Sequence, residues 1–121
     1  MQKLLTNEIE KKLINNYENT RAMTQEELDN ARENKFIAKF FTPFSSFTWY
    51  ALEYDPSNKC FFGYVTSHLC EGEYGYFSLA ELEELQEMSK RNIKYTIERD
   101  LYFTEISQFD LIEKIKGKEL V

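Results

Sequence analysis

Aromatic side chains are concentrated in the middle of the chain, where most of the phenylalanine and tyrosine residues lie between Phe36 and Phe77. At the start of this region, Phe36, Ala38 and Phe40 alternate with Ile37, Lys39 and Phe41. A period of two is the side-chain repeat of a β-strand, and aromatic residues favour strands. Because each aromatic ring buries a large area, this region constrains the fold more than any other.

The same region divides into strands separated by turn signals. Pro43 cannot donate a hydrogen bond to a sheet, so the first strand ends before it. Asp55 to Asn58 predicts a turn, because Pro56 presets φ and polar side chains bond back to the backbone. Gly63 is a candidate β-bulge or point of close approach. We predict an antiparallel meander over 36–77, with strands at 36–41, 46–54, 60–66 and 74–77 and a further turn at 71–73.

Two capping signals predict helices in the first third of the chain. Asn7 with Glu10 has the spacing of a capping box, and Thr24 with Glu27 repeats it. The first helix carries an apolar stripe and is expected to end in a connection near 19–21. The second is expected to run on through Leu28 and Ala31. The stripe of the first helix consists of Ile9, Leu13 and Tyr17.

The strongest helix start lies directly after the meander. Ser78 with Glu81 forms a capping box, and leucines follow at helical intervals. Residues 93–97 and 101–103 read as short strands. A last helix is expected to end at Gly117. Its predicted buried face consists of Ile106, Phe109, Ile112 and Ile115.

These elements predict an α+β fold, with a mainly antiparallel sheet of four to six strands, helices at both termini and one helix between strands. A chain of 121 residues is expected to form one domain. Its predicted layout is a helical part at 1–34, a meander at 36–77, an acidic helix at 78–90, strands within 93–103 and a C-terminal helix at 105–116.

Charge and hydropathy restrict the location and the partners. The formal net charge of -6 disfavours phosphate backbones and anionic membranes as partners. No segment approaches the ~20 apolar residues that span a bilayer, and the N-terminus turns acidic before any signal-peptide core. We therefore expect a cytoplasmic protein with reduced cysteines.

The inventory of reactive residues disfavours catalysis. His68 is the only histidine, and Cys70 could share a strand face with it, but no third residue orients the pair. The separation of Cys60 and Cys70 fits no common metal site, so both are interpreted as buried or half-buried thiols. The absence of a glycine-rich loop excludes nucleotide hydrolysis through a P-loop. We expect no catalytic residue, metal or cofactor.

One polar cluster leaves an alternative open. Glu98 and Asp100 flank Arg99, so both acids would lie on one face of a strand. Such a pair could hold a hard cation or act as a general base in a small metal-dependent enzyme. The other interpretation is a charged strand edge that resists aggregation.

Two further features predict a partner-binding surface. The helix after Ser78 presents a concentrated set of acids that suits docking into a basic groove, although a solvated face is the simpler interpretation. These acids are Glu81, Glu83, Glu84 and Glu87. Trp49 and Tyr50 lie on opposite faces of the central strand, so an uncovered face would expose an aromatic ring. That ring could anchor a protein or stack an unpaired base, unless helices cover both faces.

Four ordered segments resemble the bacterial family named domain of unknown function 2958. The segments are AKFFTPFSSFTWYALEYDP, FFGYV, GYFSLAELEEL and IERDLYF, and the resemblance runs from about Leu4 to Phe103. It implies an intracellular protein carried on plasmids, conjugative elements or phages, often beside anti-restriction genes. It implies no activity and no catalytic residues. Its recurring residues are equally explained as determinants of the fold; they include Trp49, Gly75, Tyr76, Phe77, Ser78, Leu79, Glu98, Arg99 and Asp100.

We therefore expect a non-enzymatic protein-binding module of a mobile element. Its acidic surface suits a counter-defence inhibitor of the anti-CRISPR or anti-restriction type, with a basic nucleic-acid-binding effector of the host as partner. Direct binding of single-stranded nucleic acid through sheet aromatics is the first alternative. A metal-dependent enzyme that uses Glu98 and Asp100 is the second.

Overall fold

The computed structural model describes residues 2–22, 24, 26–27 and 34–119. Its helices are α1 (Asn7–Ala22), α2 (Leu79–Ser89) and α3 (Gln108–Lys116), with a 3₁₀ turn at Ile93–Tyr95. Its strands are β1 (Lys35–Phe36), β2 (Ala38–Phe41), β3 (Thr48–Asp55), β4 (Cys60–Ser67), β5 (Cys70–Ser78), β6 (Glu98–Arg99) and β7 (Ile106–Ser107). An antiparallel sheet has the order β5-β4-β3-β2-β6, and β1 pairs with β7 in a separate ribbon. The predicted α+β architecture is confirmed. In the described part of the chain, no helix is long and apolar enough to cross a membrane.

Helices lie on both faces of the central strand β3. On one face, Leu13 of α1 and Leu82 of α2 pack with the buried rings of Phe40 and Phe61 in a first core. On the other face, a second core joins Leu111 of α3 to the side chains of β3 and β4. Of the two alternatives for the sheet, the one with both faces covered is therefore correct.

A β-bulge interrupts the pairing of β3 with β4. The register between β3 and β4 shifts between Ala51 and Glu53. The same region explains the glycine in β4, because a Cβ on Gly63 would lie 1.9 Å from the backbone oxygen of Tyr50. Close approach at Gly63 is thus confirmed, and the extra residue of the bulge belongs to the neighbouring strand.

The predicted turn at 71–73 is wrong, because β5 already begins at Cys70 and the hairpin turns at His68 and Leu69. The glycine within the predicted turn, Gly72, has another structural role. Gly72 has a φ of +136°, and the register between β4 and β5 shifts beside it, between Val65 and Ser67. A positive φ at a register shift marks an irregularity within the strand, which glycine tolerates without steric cost.

Two predictions for α1 are also corrected. The hydroxyl of Thr6, not Asn7, caps the helix, since it accepts a bond from the backbone N–H of Ile9 at 3.3 Å. The helix does not end near residue 19 but continues to Ala22. At Thr24 the predicted capping pair is present, because its hydroxyl accepts from the N–H of Glu27 at 3.2 Å. The rest of the predicted second helix lies outside the described residues.

Near the C-terminus, the predicted strand at 93–97 is wrong: Ile93–Tyr95 form the 3₁₀ turn, with Asn92 as its cap, and 96–97 are irregular. The segment 101–103 is not a strand either. The side chain of Ser107 caps α3 by accepting from the N–H of Asp110, so the helix starts later than predicted. Ile106 therefore pairs in β7 instead of entering the helix. The ring of Phe109 is 62% exposed instead of buried. Gly117 ends the helix as predicted.

Candidate partner-binding surface

The acidic helix forms as predicted and is anchored at its N-terminal end. The hydroxyl of Ser78 accepts from the N–H of Glu81 at 3.0 Å, and the N–H of Leu79 donates to the carbonyl of Lys59 at 3.1 Å. Leu82 is buried in the first core, and Leu85 packs at its margin. The opposite side of α2 therefore faces solvent. All four predicted contact acids are exposed there: Glu81, Glu83, Glu84 and Glu87.

Negative charge extends from α2 to neighbouring elements. Burial first, and then the charges of Glu10, Glu83 and Asp55, raise the pKa of the Tyr54 hydroxyl. Since these three acids belong to α1, α2 and β3, carboxylates from separate parts of the chain converge on one region. Cations are sparse on α2, where the ammonium of Lys90 lies 3.0 Å from a carboxylate oxygen of Glu87. Like charges gathered in this way produce a negative potential that attracts a basic partner.

An aromatic hollow of about 450 Å³ opens beside α2, at the end of the first core. Phe47 and Trp49 stack there with ring centroids 5.8 Å apart. Phe44 is 57% and Phe47 is 45% exposed, so both rings reach solvent. The remaining residues of the hollow come from the loop after β2, from α2 and from the 3₁₀ turn; they are Thr42, Ser45, Leu85, Lys94 and Tyr95.

The loop that carries the two phenylalanines is held by Thr42. Its buried side chain accepts from the N–H of Phe47 at 3.2 Å, and its own N–H donates to the carbonyl of Phe47 at 3.0 Å. Ser45 bonds back to the carbonyl of Thr42 at 3.1 Å. These bonds fix the path of the chain after Pro43, and so the backbone that carries Phe44 and Phe47 is held in place.

The two aromatic residues predicted as contacts lie in different environments. Trp49 is half-buried and lines the aromatic hollow. Tyr50 lies on the opposite face, is 4% exposed and belongs to the second core. Burial, followed by the charge of Asp100, raises the pKa of the Tyr50 hydroxyl to about 12. Tyr50 is therefore corrected from a contact residue to a core residue, because α3 covers its face of the sheet.

Of the polar cluster of Glu98, Arg99 and Asp100, the last two bond to other parts of the chain. The ammonium of Lys39 lies 3.7 Å from a carboxylate oxygen of Asp100, whose other oxygen accepts from the N–H of Tyr102 at 2.9 Å. The guanidinium of Arg99 donates to the carbonyls of residues 3 and 4. Among the described residues, no three histidine, cysteine or acidic side chains gather as a metal site.

Cys60 is half-buried. Its sulfur lies 3.7 Å from the carbonyl oxygen of Phe61 and 3.6 Å from that of Phe77, so its single hydrogen can be donated to either. Burial first, and then the charges of Glu81 and Asp55, raise the pKa of the thiol. A raised pKa lowers the thiolate fraction that reacts. His68 lies in the turn between β4 and β5 and contacts the hydroxyl of Ser46 through Nδ1.

Most of the hollow was missed by sequence reasoning, which predicted only Trp49 of its residues as a contact. Phe44, Lys94 and Tyr95 meet only because the 3₁₀ turn after α2 returns to the loop between β2 and β3. The only local signal was Phe44, which follows Pro43 outside any predicted strand. An aromatic residue in a loop has no core face to fill, and this could have marked Phe44 as a surface residue.

Comparison with known proteins adds a family assignment. No curated protein and no solved structure matches the chain. Residues 4–116 match the model of a family described as "Protein of unknown function (DUF2958)". The match extends beyond Phe103, where the resemblance of the four segments ends, and takes in all of α3. The chain therefore belongs to the DUF2958 family of proteins of unknown function.

Proposed function

We propose that this protein is a non-enzymatic protein-binding module whose contact surface combines the aromatic hollow with the acidic face of α2. The observation that carries the proposal is the pair of exposed rings, Phe44 and Phe47, held in a fixed loop beside Trp49. Energetically dominant residues of interfaces are large side chains, often aromatic, in pockets that a partner can desolvate. Charged residues at the rim then select the partner.

The charges favour a basic protein as the partner. Leu85 of α2 lines the hollow, and the same helix carries four exposed glutamates; Lys94 is the one cation among the residues that line the hollow. Single-stranded nucleic acid is less favoured, because base-stacking proteins combine aromatic rings with a positively charged groove. An enzyme based on Glu98 and Asp100 is also less favoured, since Asp100 is engaged by Lys39 and by the backbone of Tyr102.

As the biological setting, we propose counter-defence on a phage, plasmid or other mobile element. The proposal draws on the resemblance in the four segments and on the acidic charge of the surface. A basic channel that holds nucleic acid in a host nuclease complex attracts acidic surfaces by the same electrostatics. The partner would be a defence effector of the CRISPR or restriction type, and occupation of its channel would exclude its nucleic acid.

The test is affinity capture from a native host lysate, followed by mass spectrometry and by a nuclease assay of the captured complex. The double variant Phe44→Ala/Phe47→Ala should weaken capture at least about 30-fold, as expected when interface hot spots are removed. Replacing the four glutamates of α2 with glutamine should weaken capture and reduce its dependence on salt. Tyr102→Ala is the matched control, because Tyr102 is 93% exposed and lies outside the hollow.

Two results would contradict the proposal. Equal capture by the wild type and the phenylalanine double variant would show that the hollow does not contribute to binding. Retarded migration of a labelled oligonucleotide at low salt, lost on Trp49→Ala, would instead support the nucleic-acid alternative.

A further inference from the structure

A second cavity, of about 790 Å³, lies between the C-terminal half of α1 and the β3–β4 hairpin. Its size falls in the range of roughly 300–1,000 Å³ that is typical of small-ligand sites. It shares no lining residue with the aromatic hollow. Its walls carry both aromatic rings and charged groups.

The β-bulge of β3 lies next to Glu53, which lines this cavity. Bulges re-aim side chains and occur often beside functional sites. The hydroxyl oxygen of Thr20 lies 3.1 Å from a carboxylate oxygen of Glu53 and 3.0 Å from the carbonyl oxygen of Asn16, so its single hydrogen can be donated to either. Burial raises the pKa of Glu53 although Thr20 and Arg21 oppose the shift. The charged carboxylate is therefore incompletely compensated, and a cation in the cavity would stabilise it.

Aromatic rings form the rest of the wall. Phe62 and Tyr76 have ring centroids 4.9 Å apart, and Tyr76 is 79% exposed. On the opposite side, the guanidinium of Arg21 lies 4.7 Å from the centroid of Tyr17. This internal pair shows that the wall accepts a planar cation on a ring face. The rings of Phe62 and Tyr76 offer the same kind of contact to a second cation.

The charged residues that line the cavity favour a positively charged ligand. Two carboxylates, Glu53 and Asp55, line the cavity with one guanidinium, that of Arg21. Asp55 is held by the N–H of Ser57 at 2.9 Å and by the side-chain amide of Asn58 at 2.7 Å. We propose that this cavity binds one organic cation, a guanidinium or alkylammonium group, between Glu53 and the rings of Phe62 and Tyr76. The site is independent of the protein-binding surface beside α2.

The test is an NMR titration of the ¹⁵N-labelled chain with N-acetyl-arginine amide. The citrulline counterpart, which has nearly the same shape and no charge, is the control ligand. The arginine probe should produce saturable shifts at the amides of Glu53, Asn58 and Tyr76, and the citrulline probe should not. Glu53→Gln keeps the shape of the side chain and should weaken binding about tenfold. Tyr76→Ala should weaken binding similarly. Because Tyr76 is largely exposed, this replacement should leave the fold intact.

Glu84→Gln is the matched control, because it removes a carboxylate from α2 outside the cavity. A tripeptide with a central arginine separates the sources of the cation: clearly tighter binding than that of the free probe indicates a peptide side chain, and equal binding indicates a free small molecule. The proposal is overturned by equal binding of arginine and citrulline probes, or by unchanged affinity in both Glu53→Gln and Tyr76→Ala. The absence of a saturable shift at about 10 mM probe would also overturn it.

Discussion

The side-chain amide of Asn16 donates hydrogen bonds to the backbone carbonyls of Leu52 at 2.9 Å and Lys35 at 3.0 Å. Leu52 lies at the bulge of β3, and Lys35 begins the ribbon strand β1. One polar side chain therefore joins the helix, the sheet and the ribbon. Asn16 is 8% exposed, so these bonds are shielded from water.

Replacement of Asn16 by alanine should lower the free energy of unfolding by about 2–3 kcal/mol, because it leaves shielded carbonyl groups without their donor. Urea denaturation measures the change. Asn15→Ala is the matched control: Asn15 precedes it on α1, is exposed, and its replacement should change stability by less than about 0.5 kcal/mol. Equal losses for both variants would show that the bonds of Asn16 contribute nothing specific.

Gly63 and Gly75 are partners in the register between β4 and β5, yet their surroundings differ. A Cβ on Gly63 would lie 1.9 Å from the backbone oxygen of Tyr50, whereas a Cβ on Gly75 would meet nothing within 4 Å. Gly63→Ala should therefore cost at least about 3 kcal/mol, because backbone must move. Gly75→Ala should change stability by less than about 0.5 kcal/mol. Thermal denaturation of the pair checks both; a tolerated Gly63→Ala would contradict the close contact.

Local signals predicted the elements that local bonds define. Ser78 with Glu81 predicted α2 within a residue, because the cap and the acid lie three residues apart. The Asp55 turn followed from bonds within four residues, such as that from the N–H of Ser57 to its carboxylate. The alternation from Phe36 to Phe41 predicted extended backbone correctly. It could not reveal that Ile37 divides the segment between two sheets, since this depends on pairing with distant strands.

The candidate sites depend on long-range geometry, and their prediction was partial. The acids of α2 were predicted as outward residues because the leucine stripe sets the inner face of the helix. The bulge beside Glu53 had no local signal, because the mismatch exists only between paired strands. The exposure of Phe109 was missed because the buried face of α3 is centred on Leu111, which the predicted stripe left out and which lies on nearly the opposite side of the helix. Sequence periodicity thus defines faces, while register decides which side chains meet.

Asp100→Asn should lower the free energy of unfolding by about 1 kcal/mol, because it removes the charge opposite Lys39 in a pair whose side chains are only 18% and 25% exposed. Glu98→Gln should be neutral within about 0.5 kcal/mol, since Glu98 is exposed. Denaturation at low and high salt measures both. A rise in melting temperature on addition of a divalent metal, lost in either variant, would instead support a catalytic or metal-binding role.

Glu53→Gln should change the pH dependence of stability in a defined direction. Burial raises the pKa of Glu53 in the folded protein above its ordinary value of 4.5, so the folded state binds this proton more tightly than the unfolded state does. The wild type therefore loses stability as pH rises from the ordinary value through the raised pKa, and glutamine cannot titrate. The free energy of unfolding of the variant, relative to wild type, should increase across that window and level off above it.

Urea denaturation at a series of pH values from about 4 to 8 covers this window. Glu84→Gln, on the exposed face of α2, reports the effect of one less negative charge and is subtracted. If the difference between Glu53→Gln and wild type falls with rising pH, the carboxylate is stabilised rather than destabilised by its surroundings. In the expected case, the variant is more stable than the wild type at the upper end of this pH range. Adding the arginine probe there should reduce the difference in the free energy of unfolding, because a bound cation compensates Glu53 only in the wild type.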